Sequence, residues 1–188
     1  MNNRKKQISA VALALFLGTA GVLTTSIPSC ALTADSLTRD DRFNSEGEAG
    51  KGLTYANYVV KKGIAIYDEC LLDDDETKAK IAASVRLEGK YFPVRFVGSF
   101  AFDGYEELKT VEIPSSIVGI KKKAFSGAPN LYKITVKSKR LNKASVQGAF
   151  LNSEVRIVVV PKSKYAAYTK IFTKRNTGAL YDIEVRKQ

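Results

Sequence analysis

Any chemistry in this sequence has to be built from carboxylates, amines, hydroxyls and two thiols, because it contains no histidine. The commonest general base is therefore absent, and with it the Ser-His-Asp and Cys-His nucleophile systems. The commonest neutral zinc ligand is absent for the same reason. The densest acidic run, Asp73-Asp74-Asp75-Glu76, lacks the alternate spacing of a loop that wraps calcium. It reads instead as a solvated loop or the start of a helical turn. Cys70 stands next to Glu69 and close to that run. Neighbouring negative charge raises a thiol's pKa, so Cys70 reads as a packed spectator and not a nucleophile. No constellation of convergent acids, ligands and nucleophiles emerges. The sequence therefore predicts no enzyme, no catalytic residue, no metal and no cofactor.

What the chain does concentrate is positive charge. Residues 35–120 carry 11 Lys+Arg and 16 Asp+Glu, whereas residues 121–188 carry 16 Lys+Arg and 3 Asp+Glu. The excess gathers in Lys121, Lys122 and Lys123 and in Lys137, Lys139, Arg140 and Lys143. Such a field attracts anionic macromolecules in a salt-dependent way. No aromatic-basic recognition motif accompanies it, so nucleic acid is not an expected partner.

Arg4, Lys5 and Lys6, the apolar run Ile8 to Leu23 and the small-residue stretch Thr24 to Ala34 follow the three-part plan of a secretory signal. The apolar run is short for a membrane span, and no later segment approaches that length. Three processing points stay open: cleavage after Ala31, cleavage after Ala34, or lipidation at Cys30 in a lipobox-like Ile27-Pro28-Ser29-Cys30. The domain reading is a signal peptide over 1–34, a flexible spacer over 35–52 and a single folded domain over 53–188. The domain opens with a hairpin, Tyr55–Val60 and Ile64–Tyr67 around Gly63.

An internal repeat follows. Ala101-Phe102-Asp103-Gly104 recurs as Ala124-Phe125-Ser126-Gly127, and Leu108, Val111 and Ile113 recur as Leu131, Ile134 and Val136, each 23 positions on. A looser third copy places Ala149-Phe150 and Val155, Val158 and Val160; upstream, Ile81 and Ala83 stand for the strand pair. A unit of this length cannot bury its own apolar face, but stacked copies can. The expected fold is a β-rich solenoid of about 23-residue coils, with short parallel strands over 81–83, 109–113, 132–136 and 156–160. Tyr165, Tyr168, Ile171 and Phe172 fall at helical spacing, with Ser163 as N-cap and Lys174 and Arg175 near the end. They predict a helix capping the last coil.

Two motifs carry a resemblance. One is Val97-Gly98-Ser99-Phe100-Ala101-Phe102-Asp103-Gly104 followed by Leu108-Lys109-Thr110-Val111-Glu112-Ile113-Pro114. The other is Ile117-Val118-Gly119-Ile120 leading to Ala124-Phe125-Ser126-Gly127. They resemble the BspA-like, Treponema-type leucine-rich repeat over residues 55 to 175. Lys137 in place of the strand-ending Pro, and Ser145 where Ile belongs, depart from the pattern. The resemblance implies a secreted or cell-surface protein-binding or adhesion module without catalysis, exported from a bacterial cell. The other reading is a structural or accessory envelope protein that binds anionic wall polymers or glycans. The partner is expected to be a macromolecule, a protein or an anionic glycan or wall polymer. Outward strand residues Thr110, Glu112, Lys133 and Thr135, with the seven basic residues above, are the expected contact residues.

Overall fold

The structure, a computed structural model, describes residues 42–44, 53–73, 75–87 and 89–188. The segment read as a signal, with Cys30 and both cleavage points, lies outside the described residues. So does the segment read as a spacer, apart from Arg42–Asn44, which form strand β1.

β2 (Tyr55–Lys61) and β3 (Ile64–Leu71) pair antiparallel, and β1 pairs antiparallel with β2. The connection is Lys62-Gly63, both at positive φ, the two-residue turn whose twist matches a hairpin. From there the chain lays down two walls. One is a parallel sheet of β4 (Lys78–Lys80), β7 (Thr110–Ile113), β9 (Lys133–Val136), β10 (Ile157–Val160) and β11 (Glu184–Lys187), in that spatial order. The other holds β6 (Lys90–Val97). Its first half pairs antiparallel with β5 (Ser84–Leu87), and its second half runs parallel between β3 and β8 (Gly119–Ile120).

Period-two alternation explains the core. On β7, β9 and β10 the pairs Val111/Ile113, Ile134/Val136 and Val158/Val160 are buried, while the intervening residues are half-exposed. The strand upstream corrects the sequence reading. Ala79, not Ile81, stands opposite Val111, and the Ile81 amide donates to Glu112, so the inward pair is Ala79/Ile81 and Ala83 is exposed. Spacing misled because this copy is longer than 23 residues, and a two-residue slip keeps every side chain on the same face. In the third copy Ser145 does not replace the missing Ile. A 3-10 turn over Ala144–Val146 buries Val146, and Ser145 and Asn142 bond each other's backbone and side chain.

The strand ends show how a missing donor is replaced. The Lys137 amide donates to Ile113 at 2.9 Å. Pro161, one repeat later, has no N–H for the Val136 carbonyl. The side-chain amide of Gln188 reaches that carbonyl instead, at 3.3 Å, while the Gln188 backbone N–H serves Val160.

Between the walls runs a column of rings: Tyr58, Tyr67, Phe102, Phe125, Phe150 and Phe172, with successive centroids 5.2–6.0 Å apart. Its closest step is Phe102 to Phe125, stacked 15° from parallel. Tyr58 and Tyr67 are buried, and burial raises both phenols well above their ordinary pKa, with the nearby Cys70 thiol adding to the effect. A phenol held neutral by folding adds stability that is present below about pH 10 and is lost as pH rises towards its folded value. Thermal unfolding temperature should therefore hold to about pH 9 and drop steeply above pH 10. Two or more tyrosines should ionise, seen by absorbance at about 295 nm, only as the fold is lost. Ionisation of every tyrosine at pH 10 in the folded protein would contradict this.

The single helix expected after the last repeat is broken. A 3-10 turn (Lys162–Lys164), α1 (Tyr165–Tyr168) and α2 (Lys174–Thr177) follow one another. Ser163 makes no cap; the capping side chain is Thr173, which accepts from the Asn176 amide. Tertiary demands divide the helix. The Tyr168 hydroxyl must reach Ser138 and Leu141, Phe172 must stack on Phe150, and Asn176 and Thr177 must accept from Gly148 and Phe150. An extended Thr173, at φ −111° and ψ 151°, reconciles them.

Candidate functional site

The parallel register aligns the outward side chains of five strands into two rows. One row is Lys78, Thr110, Lys133, Ile157 and Glu184; the other is Lys80, Glu112, Thr135, Val159 and Arg186. The four strand residues singled out from sequence thus sit together, Thr110 beside Lys133 and Glu112 beside Thr135. Glu112 is already engaged. Lys137 holds it at 2.7 Å and Lys80 at 3.8 Å, with its side chain 31% exposed. Its charge is largely offset before any partner arrives, and such exposed pairs add little stability.

Sequence reasoning passed over Ile157 and Val159. They stand in an apolar run, Ile157–Val160, in which only alternation separates inward from outward, and they are not among the expected contact residues. The structure places both half-exposed on β10, between β9 at the middle of the sheet and β11 at its edge. Tyr132 and Tyr181 are exposed before β9 and β11, and the Arg156 guanidinium lies 4.0 Å over the Tyr181 ring. On β11, Arg186 grips Glu184 with two hydrogen bonds of 2.7 and 2.6 Å, which lowers the Glu184 pKa. Both groups are exposed, so solvent screens the pair.

The seven basic residues do not form one group. Lys137 stands at the end of β9, and Lys139 and Arg140 are exposed in the loop after it. That loop is anchored by the buried Ser138 hydroxyl, which donates to Ile117 and accepts from the Arg140 amide. Lys162 and Lys164 follow β10 in the same way, and the Lys187 ammonium sits 4.7 Å over the Tyr165 ring. Lys121, Lys122 and Lys123 follow β8 on the other wall. There the Lys121 amide bonds Val97 and the Lys123 amide bonds Gly148. Lys143 lies on that side too, its carbonyl accepting from Asn176. Lys123 is half-buried at φ 62°, with its ammonium 5.3 Å over the Phe100 ring, so it serves the turn.

Asp73, Asp75 and Glu76 are exposed around a turn in which the Glu76 amide donates to Asp73. Among the described residues, no cluster of three acidic, Cys or His side chains is placed to hold a metal. Cys70 is buried, and its carbonyl accepts from the Tyr105 hydroxyl. No helix among the described residues is long and apolar enough to cross a membrane.

A parallel ladder of five short strands, with three Ala-Phe turns stacked behind it and two rows of side chains outside, defines a leucine-rich repeat protein with strands dominant and few helices. Residues 84–180, just over half of the chain, match the family described as BspA type leucine rich repeat region (6 copies). The chain belongs to that family. BspA-type repeat proteins are in general surface-associated, non-enzymatic protein-binding modules.

A leucine-rich repeat protein from Bacteroides capillosus is similar in fold, with a TM-score of 0.50 and 20% identity over 70% of this chain and 93% of that one. A leucine rich cell surface protein from Faecalibacterium prausnitzii gives a TM-score of 0.44 and 15% identity over 73% of this chain. A leucine-rich repeat protein from Bacteroides ovatus gives 0.42 and 12% over 81%. The match spans 41% of each of these last two proteins. No curated protein matches the chain at a significant level.

Proposed function

We propose that this chain is an exported, cell-surface protein-binding module without catalytic activity: a short solenoid of about 23-residue coils that adheres to its partner through the outer face of the parallel sheet. The observation that carries this reading is the alignment of Lys133, Thr135, Ile157 and Val159 on adjacent strands in one register. A flat, backbone-bonded surface orders few side chains on binding, which favours a large partner over a small molecule in a cleft. Apolar Ile157 and Val159, framed by Tyr132, Tyr181, Arg156 and charged neighbours, have the make-up of a protein interface: an apolar centre and a polar rim. The signal-like N-terminus, with cleavage or Cys30 lipidation, supports delivery outside the cell.

The test is capture of partners from host-matrix and cell-wall protein fractions, followed by surface-based kinetics with the captured protein. The double variant Ile157→Asp, Val159→Asp should weaken that binding at least about tenfold through faster dissociation, as expected at the centre of an interface. Thr169→Ala, away from the sheet, should leave it unchanged. Undiminished binding in the double variant would remove the sheet face from the reading.

A further inference from the structure

Folding assembles a second surface from residues far apart in the chain. Its frame is a run of backbone hydrogen bonds: Phe100 N–H to the Lys123 carbonyl at 3.0 Å, Lys123 N–H to Gly148 at 2.9 Å, and Gly148 N–H to Asn176 at 2.9 Å. These bonds stack four turns of chain. At the usual strand spacing three steps extend about 15 Å. Lys121 and Lys122 lead into the second turn, and Lys174 and Arg175 into the fourth. Lys143 is tied in by its carbonyl, which accepts from the Asn176 side chain at 3.1 Å. All five cations are exposed, and no ion pair among the described residues engages them. Phe100 is 46% exposed at the first turn, held there at φ 60°.

We infer that this stripe is a binding site for a linear sulfated polysaccharide, separate from the sheet face. Three features select that partner. An exposed cation–anion contact is worth little singly, so affinity requires a ligand that meets several cations at once; a row about 15 Å long suits a chain of sugar rings and not one small anion. Four of the five cations are lysines, point charges with rotating donors. They match sulfate groups spaced along a flexible chain better than a planar group needing a bidentate fork. The exposed Phe100 ring at one end offers an apolar face against which a sugar ring can lie, a contact a plain polyelectrolyte does not use.

The experiment measures binding of the full chain to immobilised heparin oligosaccharides over a salt series, with poly(glycerol phosphate) and anionic phosphatidylglycerol vesicles as parallel probes. Five contacts predict a slope of log affinity on log salt of roughly −3 to −4, and about a hundredfold loss between 50 and 200 mM salt. Lys121→Gln with Lys122→Gln, and Lys174→Gln with Arg175→Gln, should each weaken heparin binding about tenfold. Lys162→Gln with Lys164→Gln removes the same charge after β10 and should change it less than about twofold. Phe100→Ala should weaken heparin binding and leave poly(glycerol phosphate) untouched. On the unsubstituted protein, heparin should shield Lys121, Lys122, Lys143 and Lys174 from amine acetylation more than Lys162 and Lys164. Equal losses in all three double variants would reduce the stripe to net-charge attraction and overturn the inference. Tighter binding to the phosphate polymer or the vesicles than to heparin would overturn it as well. The sheet variant Ile157→Asp, Val159→Asp should bind heparin normally, which keeps this test apart from that of the protein partner.

Discussion

Replacing Phe125 with alanine should lower the free energy of unfolding by about 3–5 kcal/mol, the usual range for truncating a buried phenylalanine. Phe125 is 0% exposed and touches rings on both sides, Phe102 at 5.2 Å and Phe150 at 5.5 Å. Its loss removes apolar burial and also opens a gap in the middle of the column. The neighbours cannot close that gap, because backbone hydrogen bonds such as Phe102 N–H to Ala124 hold the turns at a set spacing. In a stacked array the interfaces between neighbouring repeats carry much of the stability, so a central gap weakens two of them. Denaturant titration checks this through a lower midpoint. Phe100→Ala, at a half-exposed ring, is the internal comparison and should cost less than about 1 kcal/mol. Equal midpoints for Phe125→Ala and the parent would refute the ring column as the core.

Gly127→Ala should cost about 2–4 kcal/mol, whereas Gly104→Ala, at the matching position of the previous repeat, should cost about 1 kcal/mol. Both glycines are in the left-handed region, at φ 87° and 82°, so both substitutions carry the same conformational penalty. The difference lies in what a β-carbon would meet. At Gly104 nothing lies within 4 Å. At Gly127 the added β-carbon would collide with the Asp103 carboxylate and stand 3.0 Å from the Asp103 Cα. The carboxylate can swing away, but the Cα belongs to the stacked turn, which the Gly104 N–H bonds to the Gly127 carbonyl at 3.0 Å. Paired thermal and denaturant unfolding of the two variants measures the stacking contact by difference. Equal costs would show that the turns are not pressed together as described.

These two residues also mark how far the sequence could be read. Phe102/Phe125 and Gly104/Gly127 recur 23 positions apart, and recurrence at a fixed period has one economical physical cause, the stacking of equivalent turns. Family and strand type followed, since Val111/Ile113 and Ile134/Val136 alternate with polar residues. Where the period changed, spacing lost its power. The copy ending at Ile81 is longer, the copy through Phe150 is loosened by two residues, and the helical spacing from Ser163 to Arg175 runs across a break at the extended Thr173. In each case a contact with another repeat decides the outcome, the Ile81 amide on Glu112, the Phe150 amide on Thr177 and the Tyr168 hydroxyl on Ser138, and spacing along one segment cannot reveal it.

The candidate sites divide in the same way. By itself the sequence determined that catalysis through histidine is absent, that charge is lopsided, and that Thr110, Glu112, Lys133 and Thr135 belong to corresponding strand positions. Only the tertiary structure decided that Ile157 and Val159 extend those rows. It alone showed that Lys80 and Lys137 occupy Glu112, and that the basic residues part onto two walls, Lys121, Lys122 and Lys143 joining Lys174 and Arg175. The reason is physical: side-chain identity and alternation are local properties carried by each strand, whereas register between strands is set by hydrogen bonds to residues one repeat away. Which charges become neighbours depends on that register.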